Sequence, residues 1–248
     1  MSRIWQIAVR EARAYFLSPI AYIVMTAFLF LNGLIFYLIL NAFSRPDAPS
    51  GSVMQIFLAR NVFYWFFFLL FIAAITMRLF AEERRSGTIE ILMTAPVTDA
   101  EAVLGKYLGA LSFYIALWAP TLAYVVILRR FSRLDLGPIA SGYLYLLLTG
   151  AMFLALGLLV SILTRSQIVS AIVSFALMFL LFIVPVFFEG LLSGAGGIRD
   201  VFAYMNTWNH AGDFSKGIVD SRPIVYYASS TCLLLFLSVW TLASKKGK

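Results

Sequence analysis

One cysteine, one histidine and only 12 acidic residues in a chain of 248 leave little of the chemistry that enzymes use. Cys232 alone can form neither a disulfide framework nor a thiolate metal site, and inside an apolar run it reads as a small membrane-facing residue. His210 is the sole imidazole. A serine triad or a histidine metal centre would therefore rest on it alone, and no Gly-x-Ser-x-Gly elbow is present. Asn206 and Asp213 stand near it in sequence, yet a solvated or interfacial histidine is the reading favoured. Charge is scarce too, at 12% of residues, against about 25% in ordinary soluble domains. No acid lies in the interior of an apolar run, and Glu189, at the end of one, comes nearest. Ion-coupled carriers depend on such buried charges, so a secondary transporter is a weak alternative.

What the chain has instead is apolar length. It is 62% hydrophobic with a mean hydropathy of +0.90. Six runs, at 19–40, 61–80, 107–128, 142–163, 168–188 and 224–243, reach the roughly 20 residues needed to cross about 30 Å of hydrocarbon. Backbone in lipid must satisfy its own polar groups, so these runs are expected to be helices, and none alternates as a barrel strand does. The expected fold is an all-α polytopic membrane protein with six transmembrane helices in a single domain, 1–248. The first run is too long for a signal-peptide core, and no small-residue cleavage site closes it, so no cleaved leader is expected. Of the 19 Lys and Arg, eleven fall on the side of both termini and eight on the other, which places the termini in the cytoplasm. Arg129, Arg130 and Arg133 in "RRFSR" form a basic cluster on the outer face that this bias does not explain. The net charge of +7 suits anionic lipid, and no nucleic-acid module is present.

Between the runs, finer patterns appear. In residues 1–18, Arg3, Gln6, Arg10 and Arg13 recur at helical spacing opposite Trp5, Ala8, Ala12 and Tyr15, predicting an N-terminal amphipathic helix in the membrane interface. Residues 41–60, beginning "NAFSRPDAPSGS", read as irregular loop, and "FYWFFF" at 63–68 as an aromatic belt at the outer boundary. Residues 189–223 read as one or two short helices at, or dipping into, the outer leaflet. Small residues spaced four apart, Gly105 with Gly109, Gly157 with Ser161, and Ser166 with Ser170 and Ser174, predict close packing of the third to fifth spans.

The charge that does exist is crowded. Arg78, Glu82, Glu83, Arg84, Arg85, Glu90, Asp99, Glu101 and Lys106 fall within 29 residues (78–106) between the second and third runs. Arg78 and Glu82 are spaced to pair on a helix, and Gly87 is placed to end it in a left-handed cap. Thr88 starts a short helix, "IEILMTA", which carries Ile89, Ile91, Leu92 and Met93 around Glu90 and stops at Pro96. "TDAE" at 98–101 is a capping box that opens the next helix. A helix as short as the middle one is marginal in water and needs a surface, either the bilayer or a soluble protein. "LGKYLG" imitates the end of a phosphate loop. However, Ala100 stands where the first glycine is required, and Tyr107 replaces the Ser/Thr. Work done by ATP would come from a partner.

The segment "FAEERRSGTIEILMTAPVTDAEAVLGKYLGA" resembles the region after the second transmembrane helix of ABC-2-type ABC transporter permeases. Glu83, Arg84, Gly87, Thr88, Glu90, Pro96, Gly105 and Lys106 meet that pattern. Within the family, the gliding-motility-associated permease branch is the most similar, since "NHAGDFSKGIVDSR" followed by "YYASS" looks like its stretch before the last helix. The resemblance implies a non-enzymatic permease subunit of an exporter in the bacterial cytoplasmic (inner) membrane. It also implies a cytoplasmic coupling segment, 81–106, whose short helix docks on a separate nucleotide-binding ATPase subunit. Glu82, Glu83, Arg84 and Arg85 would form the rim of that contact and Thr88, Ile89, Glu90, Ile91, Leu92 and Met93 its surface, with Gly87 and Pro96 as the breaks. No cofactor is bound by this chain, and ATP and Mg belong to the ATPase. A second permease chain and membrane lipid are expected partners, and the family allows for an auxiliary periplasmic-facing membrane subunit. The alternatives are a non-transporting scaffold that recruits an ATPase, and an enzyme built around His210.

Overall fold

The computed structural model describes residues 3–46, 52–59, 62–87, 97–131, 134–192 and 196–246. The described residues contain helices and no strand. An amphipathic helix, α1 (Arg3–Phe16), leads into α2 (Pro19–Phe43), where Pro19 sits in the first turn and its missing amide costs nothing. Next come α3 (Val53–Ala59), α4 (Val62–Thr76), α5 (Ala81–Ser86) and α6 (Asp99–Trp118). A single 3-10 turn at Ala119–Thr121, carrying Pro120, joins α6 to α7 (Leu122–Phe131). The chain continues through α8 (Leu136–Leu163), α9 (Gln167–Leu191), α10 (Gly196–Met205), α11 (Thr207–Ser215) and α12 (Ser221–Lys246).

Five stretches are long and apolar enough to cross a membrane: α2, α6 continuing into α7, α8, α9 and α12. The expected second span behaves differently. Its helix, α4, is apolar but only 15 residues long, roughly 22 Å at 1.5 Å per residue, and the chain then turns through residues 77–80. Hydropathy counted Leu79 and Phe80 toward a span, but both are buried against protein.

The helix α8 is the hub. Its most apolar window is 72% buried, against 22% for α2 and α9 and 11% for α12, so the others pack around it. Glycines let them come close. A Cβ on Gly142 would meet Leu58 of α3, one on Gly150 the ring of Tyr114 in α6, and one on Gly157 the side chain of Thr76 in α4. Close backbone approach of this kind replaces water exclusion as the source of cohesion in lipid.

The aromatic run expected to form a belt is core. Tyr64, Trp65 and Phe68 are buried and Phe66 is exposed. Trp65 stacks on Phe182 at 5.2 Å, and Tyr64 and Phe68 pack near Trp118 at 6.0 and 6.3 Å. Such pairs contribute about 0.5–1.5 kcal/mol each beyond the area they bury. With many mutually facing rings available, the bundle interior competes successfully with the interface for these side chains.

The stretch read as irregular contains α3. Ser52 Oγ accepts the Gln55 amide at 3.2 Å and Gln55 Oε1 accepts the Ser52 amide at 2.9 Å, a second capping box. Behind it Met54, Phe57 and Leu58 are buried. The described part of 189–223 contains two short helices, α10 and α11, between the end of α9 and the start of α12. Asn206 caps α11 through the amides of Trp208 and Asn209. Glu189, at the end of α9, accepts from the side-chain amides of Asn206 and Asn209. Arg129 and Arg130 fall in the last turn of α7, where cations complement the carbonyl end of a helix. Asp135 then caps α8 through the Gly137 amide at 3.0 Å. Arg133 lies outside the described residues. Cys232 is exposed on α12.

Candidate functional site

The end of the bundle where α5 and the first turns of α6 lie gathers the described part of the crowded charge. Here α6 starts with the expected capping box. Thr98 Oγ1 accepts the Glu101 amide at 3.2 Å and Glu101 accepts the Thr98 amide at 2.8 Å. These bonds to Thr98 hold the Glu101 carboxyl below its ordinary value. Gly87 closes α5 with φ 73°, a left-handed conformation that glycine adopts without Cβ strain.

Along the first turns of α6 runs the stripe Gly105 and Gly109, and its partner is α1. A Cβ on Gly105 would lie 2.6 Å from Ile7 Cβ, and one on Gly109 2.5 Å from Glu11 Cβ. The pair was expected to join spans, but it docks the amphipathic helix instead. Consequently α1 is packed on protein along Ile7, Ala8 and Tyr15, and not simply laid in headgroups. Trp5, on the side opposite the cations, is 53% exposed. With Val9, Arg10, Arg13 and Leu17 it lines an outer cleft of about 700 Å³.

The contact of α1 with α6 encloses an ion cluster. Lys106, on α6, has a side chain only 2% exposed, and its Nζ lies 3.0 Å from Glu11 Oε1 and 2.8 Å from Glu83 Oε1. The ammonium also sits 5.2 Å from the Phe80 ring centre. A buried lysine without carboxylates would be uncharged or unfolding, because desolvation of an ammonium costs several kcal/mol. Here two acids from two other helices answer it. Tyr15 adds a further tie, donating to the Ile75 carbonyl at 2.7 Å, with the Arg78 guanidinium 4.8 Å over its ring. Burial pushes the Tyr15 phenol far above its usual value, so it stays a donor. A cleft of about 280 Å³, lined by Glu11, Tyr15, Arg78, Glu82, Glu83 and Lys106, opens over the cluster.

The turn at 77–80 is held from the opposite side. Ser161 of α8 accepts the amides of Phe80 and Ala81 at 3.0 and 3.1 Å and donates to the Met77 carbonyl at 3.4 Å. Thus α4, which ends at Thr76, is joined to α5 by Tyr15 and Ser161, both outside its own sequence.

The sequence candidates distribute as follows. Glu82 pairs with Arg78 at 3.5 Å, Glu83 faces Lys106, and Arg84 is partly buried, with Arg85 beside it in α5. Thr88, Ile89, Glu90, Ile91, Leu92, Met93 and Pro96 lie outside the described residues. Gly157 and Ser161 meet the α4–α5 junction, not the neighbouring spans of the expected set. Ser166 precedes α9 without a side-chain cap bond. Ser170 and Ser174 are buried on α9 with no hydrogen-bond partner among the described residues. Sequence reasoning missed Glu11 and the site role of Lys106. The signal was present: Glu11 is the one acid before residue 47 and sits in register with Ile7, Ala8 and Tyr15.

His210 is not solvated. It is 7% exposed, and its Nδ1 is 3.1 Å from the Tyr227 hydroxyl. Among the described residues no group of three His, Cys, Asp or Glu is arranged to hold a metal.

The family described as ABC-2 family transporter protein matches residues 5–244. No curated protein matches the chain.

Proposed function

Because the chain belongs to the ABC-2 transporter family over nearly its whole length, we propose that it is the permease subunit of an ATP-driven exporter and that the Lys106 cluster is its force-transmitting joint. Two permease chains form the pathway, and each meets one ATPase subunit, which carries ATP and Mg. The permease crosses the bacterial inner membrane six times, with α4 and the turn at 77–80 together making the second crossing, and α5 standing on the cytoplasmic side. Both termini lie in the cytoplasm, as the eleven-to-eight division of cations favours. The whole chain, 1–248, acts as one domain. The resemblance of "NHAGDFSKGIVDSR" and "YYASS" to the gliding-motility-associated permeases supports a role like theirs.

In this reading residues 88–93 form a coupling helix between the breaks at Gly87 and Pro96 and seat in a groove of the ATPase. Glu82, Arg84 and Arg85 flank the contact, and Glu83 links it inward. One observation supports the reading most: Glu83, five residues before Thr88, is bonded to a buried lysine that also holds α1. A push on residues 88–96 meets α5 and α6 at once, and the ion cluster keeps α1 moving with them. A route through packed, bonded elements is the physical requirement for coupling.

The test is a photo-crosslinker at Ile91 in intact cells. Capture of a nucleotide-hydrolysing protein is the expected result. Capture of phospholipid alone would overturn the proposal. Nucleotide-dependent substrate movement in vesicles then separates a permease from a scaffold.

A further inference from the structure

Three cations from separate parts of the chain converge on the last turn of α8, and no carboxylate among the described residues answers them. Ser161 holds the amides of Phe80 and Ala81, which brings Arg84, one turn further along α5, beside the end of α8. Lys245, near the end of α12, donates its Nζ to the Ile162 carbonyl at 2.8 Å. Arg165 stands two residues after α8 stops at Leu163 and is exposed. The contrast at the same end is clear, since Arg78 and Lys106 are both matched by carboxylates. Burial first, and then the charge of Arg165, hold the Arg84 guanidinium below its ordinary value. Lys245 lies within electrostatic reach of both arginines.

The carbonyl end of α8 offsets part of this charge, but a helix end carries only about half a unit. Three cations exceed it. The surroundings indicate what supplies the rest. Leu163, Ile168 and Ile172 are 54, 71 and 63% exposed, an apolar surface running along α9 away from the cations. Apolar surface of that kind faces acyl chains, so the cations stand at headgroup depth.

We propose that Arg84, Arg165 and Lys245 form a binding site for a phosphate group, supplied by the headgroup of an acidic phospholipid whose chains lie along Leu163, Ile168 and Ile172. Arginine forks match phosphate oxygens in pairs, and Lys245, held by Ile162, adds a third positive point. The bound lipid neutralises the junction of α5, α8 and α12, so the ordering of α5 depends on the leaflet it sits in.

The experiment uses the purified full chain without an ATPase, so its failure leaves the proposed function standing. Melting is followed in nanodiscs of phosphatidylcholine and in nanodiscs containing phosphatidylglycerol. Wild type, Arg84→Gln with Arg165→Gln, and Arg84→Lys with Arg165→Lys are compared. Phosphatidylglycerol should raise the melting temperature of wild type and of the lysine pair. The glutamine pair should lose most of that rise, with affinity falling roughly fivefold per cation removed. In phosphatidylcholine alone the glutamine pair should melt no lower than wild type, because two mutually repelling charges have been removed. If inorganic phosphate in phosphatidylcholine discs reproduces the rise, the phosphate site stands and its ligand is the free anion. Two results overturn the proposal: an equal response of wild type and glutamine pair to phosphatidylglycerol, or equal destabilisation of that pair in both lipids, which marks a structural role.

Discussion

The Lys106 ammonium lies 3.0 Å from Glu11, a residue 95 positions earlier in the chain. That distance joins the amphipathic helix to the start of the third expected span, and Glu83 completes the cluster at 2.8 Å. Removing the cation leaves two largely buried carboxylates, their side chains 15% and 19% exposed, facing each other without a counter-charge. Lys106→Met should therefore cost about 3–5 kcal/mol of stability. Replacing all three, with Lys106→Met, Glu11→Leu and Glu83→Gln, should restore most of it, since buried ion clusters exchanged for apolar packing are often neutral. Substrate transport should stay low in the triple variant even though it folds. Melting and vesicle transport, measured together, check the pair of outcomes; full transport by the stable triple variant would remove the joint from the mechanism.

Gly109 should not tolerate a side chain. Its Cβ would lie 2.5 Å from Glu11 Cβ and 3.2 Å from the Ala8 carbonyl. Overpacking of this sort costs about 1–3 kcal/mol, and Gly109→Leu should lift α1 off α6. Trp5 emission and protease cleavage within residues 3–16 report the release. Gly190, with nothing within 4 Å of its Cβ position, serves as control. Gly190→Ala should be neutral or slightly stabilising.

Ser161→Ala should loosen the turn at 77–80. It strips the acceptor from two buried amides, Phe80 and Ala81, a loss of about 1–3 kcal/mol for each unsatisfied group. Faster hydrogen exchange at those two amides, with α8 unchanged, is the expected signature. Protection equal to wild type would show that another group holds the turn.

His210 gives the protein a pH dependence of defined sign. Burial lowers its value, with Asp213 and Asp220 opposing in part. The unfolded chain, with a histidine near the ordinary value of about 6.5, takes up its proton first as pH falls. Stability should thus be flat above that value and decline below it, down to the lowered folded value. His210→Gln should flatten the profile, measured as melting temperature between about pH 5 and 8. An unchanged slope would assign the dependence to other groups.

Much of this architecture was legible residue by residue. Long apolar runs read as helices because backbone in hydrocarbon has no other partner, and five of the stretches are long enough to cross. The box at Thr98 and Glu101 was legible because a cap is satisfied within four residues. The box at Ser52 and Gln55 carried the same signal, overlooked amid turn-forming neighbours. What stayed hidden were partners. The spacing of Gly105 and Gly109 announces a close approach without saying to which helix, and the aromatic run suits a core as well as a membrane boundary.

By itself, then, the order of residues determined which segments become helices, where they are capped and which faces are smooth enough to be approached closely. Only the tertiary structure decided that α1 is docked, that α4 stops at Thr76, and that Lys106 is a buried cation shared by Glu11 and Glu83. The reason is range. Caps and hydropathy act over a few neighbouring residues, whereas these bonds form between groups 23 to 95 positions apart, and only packing brings them together.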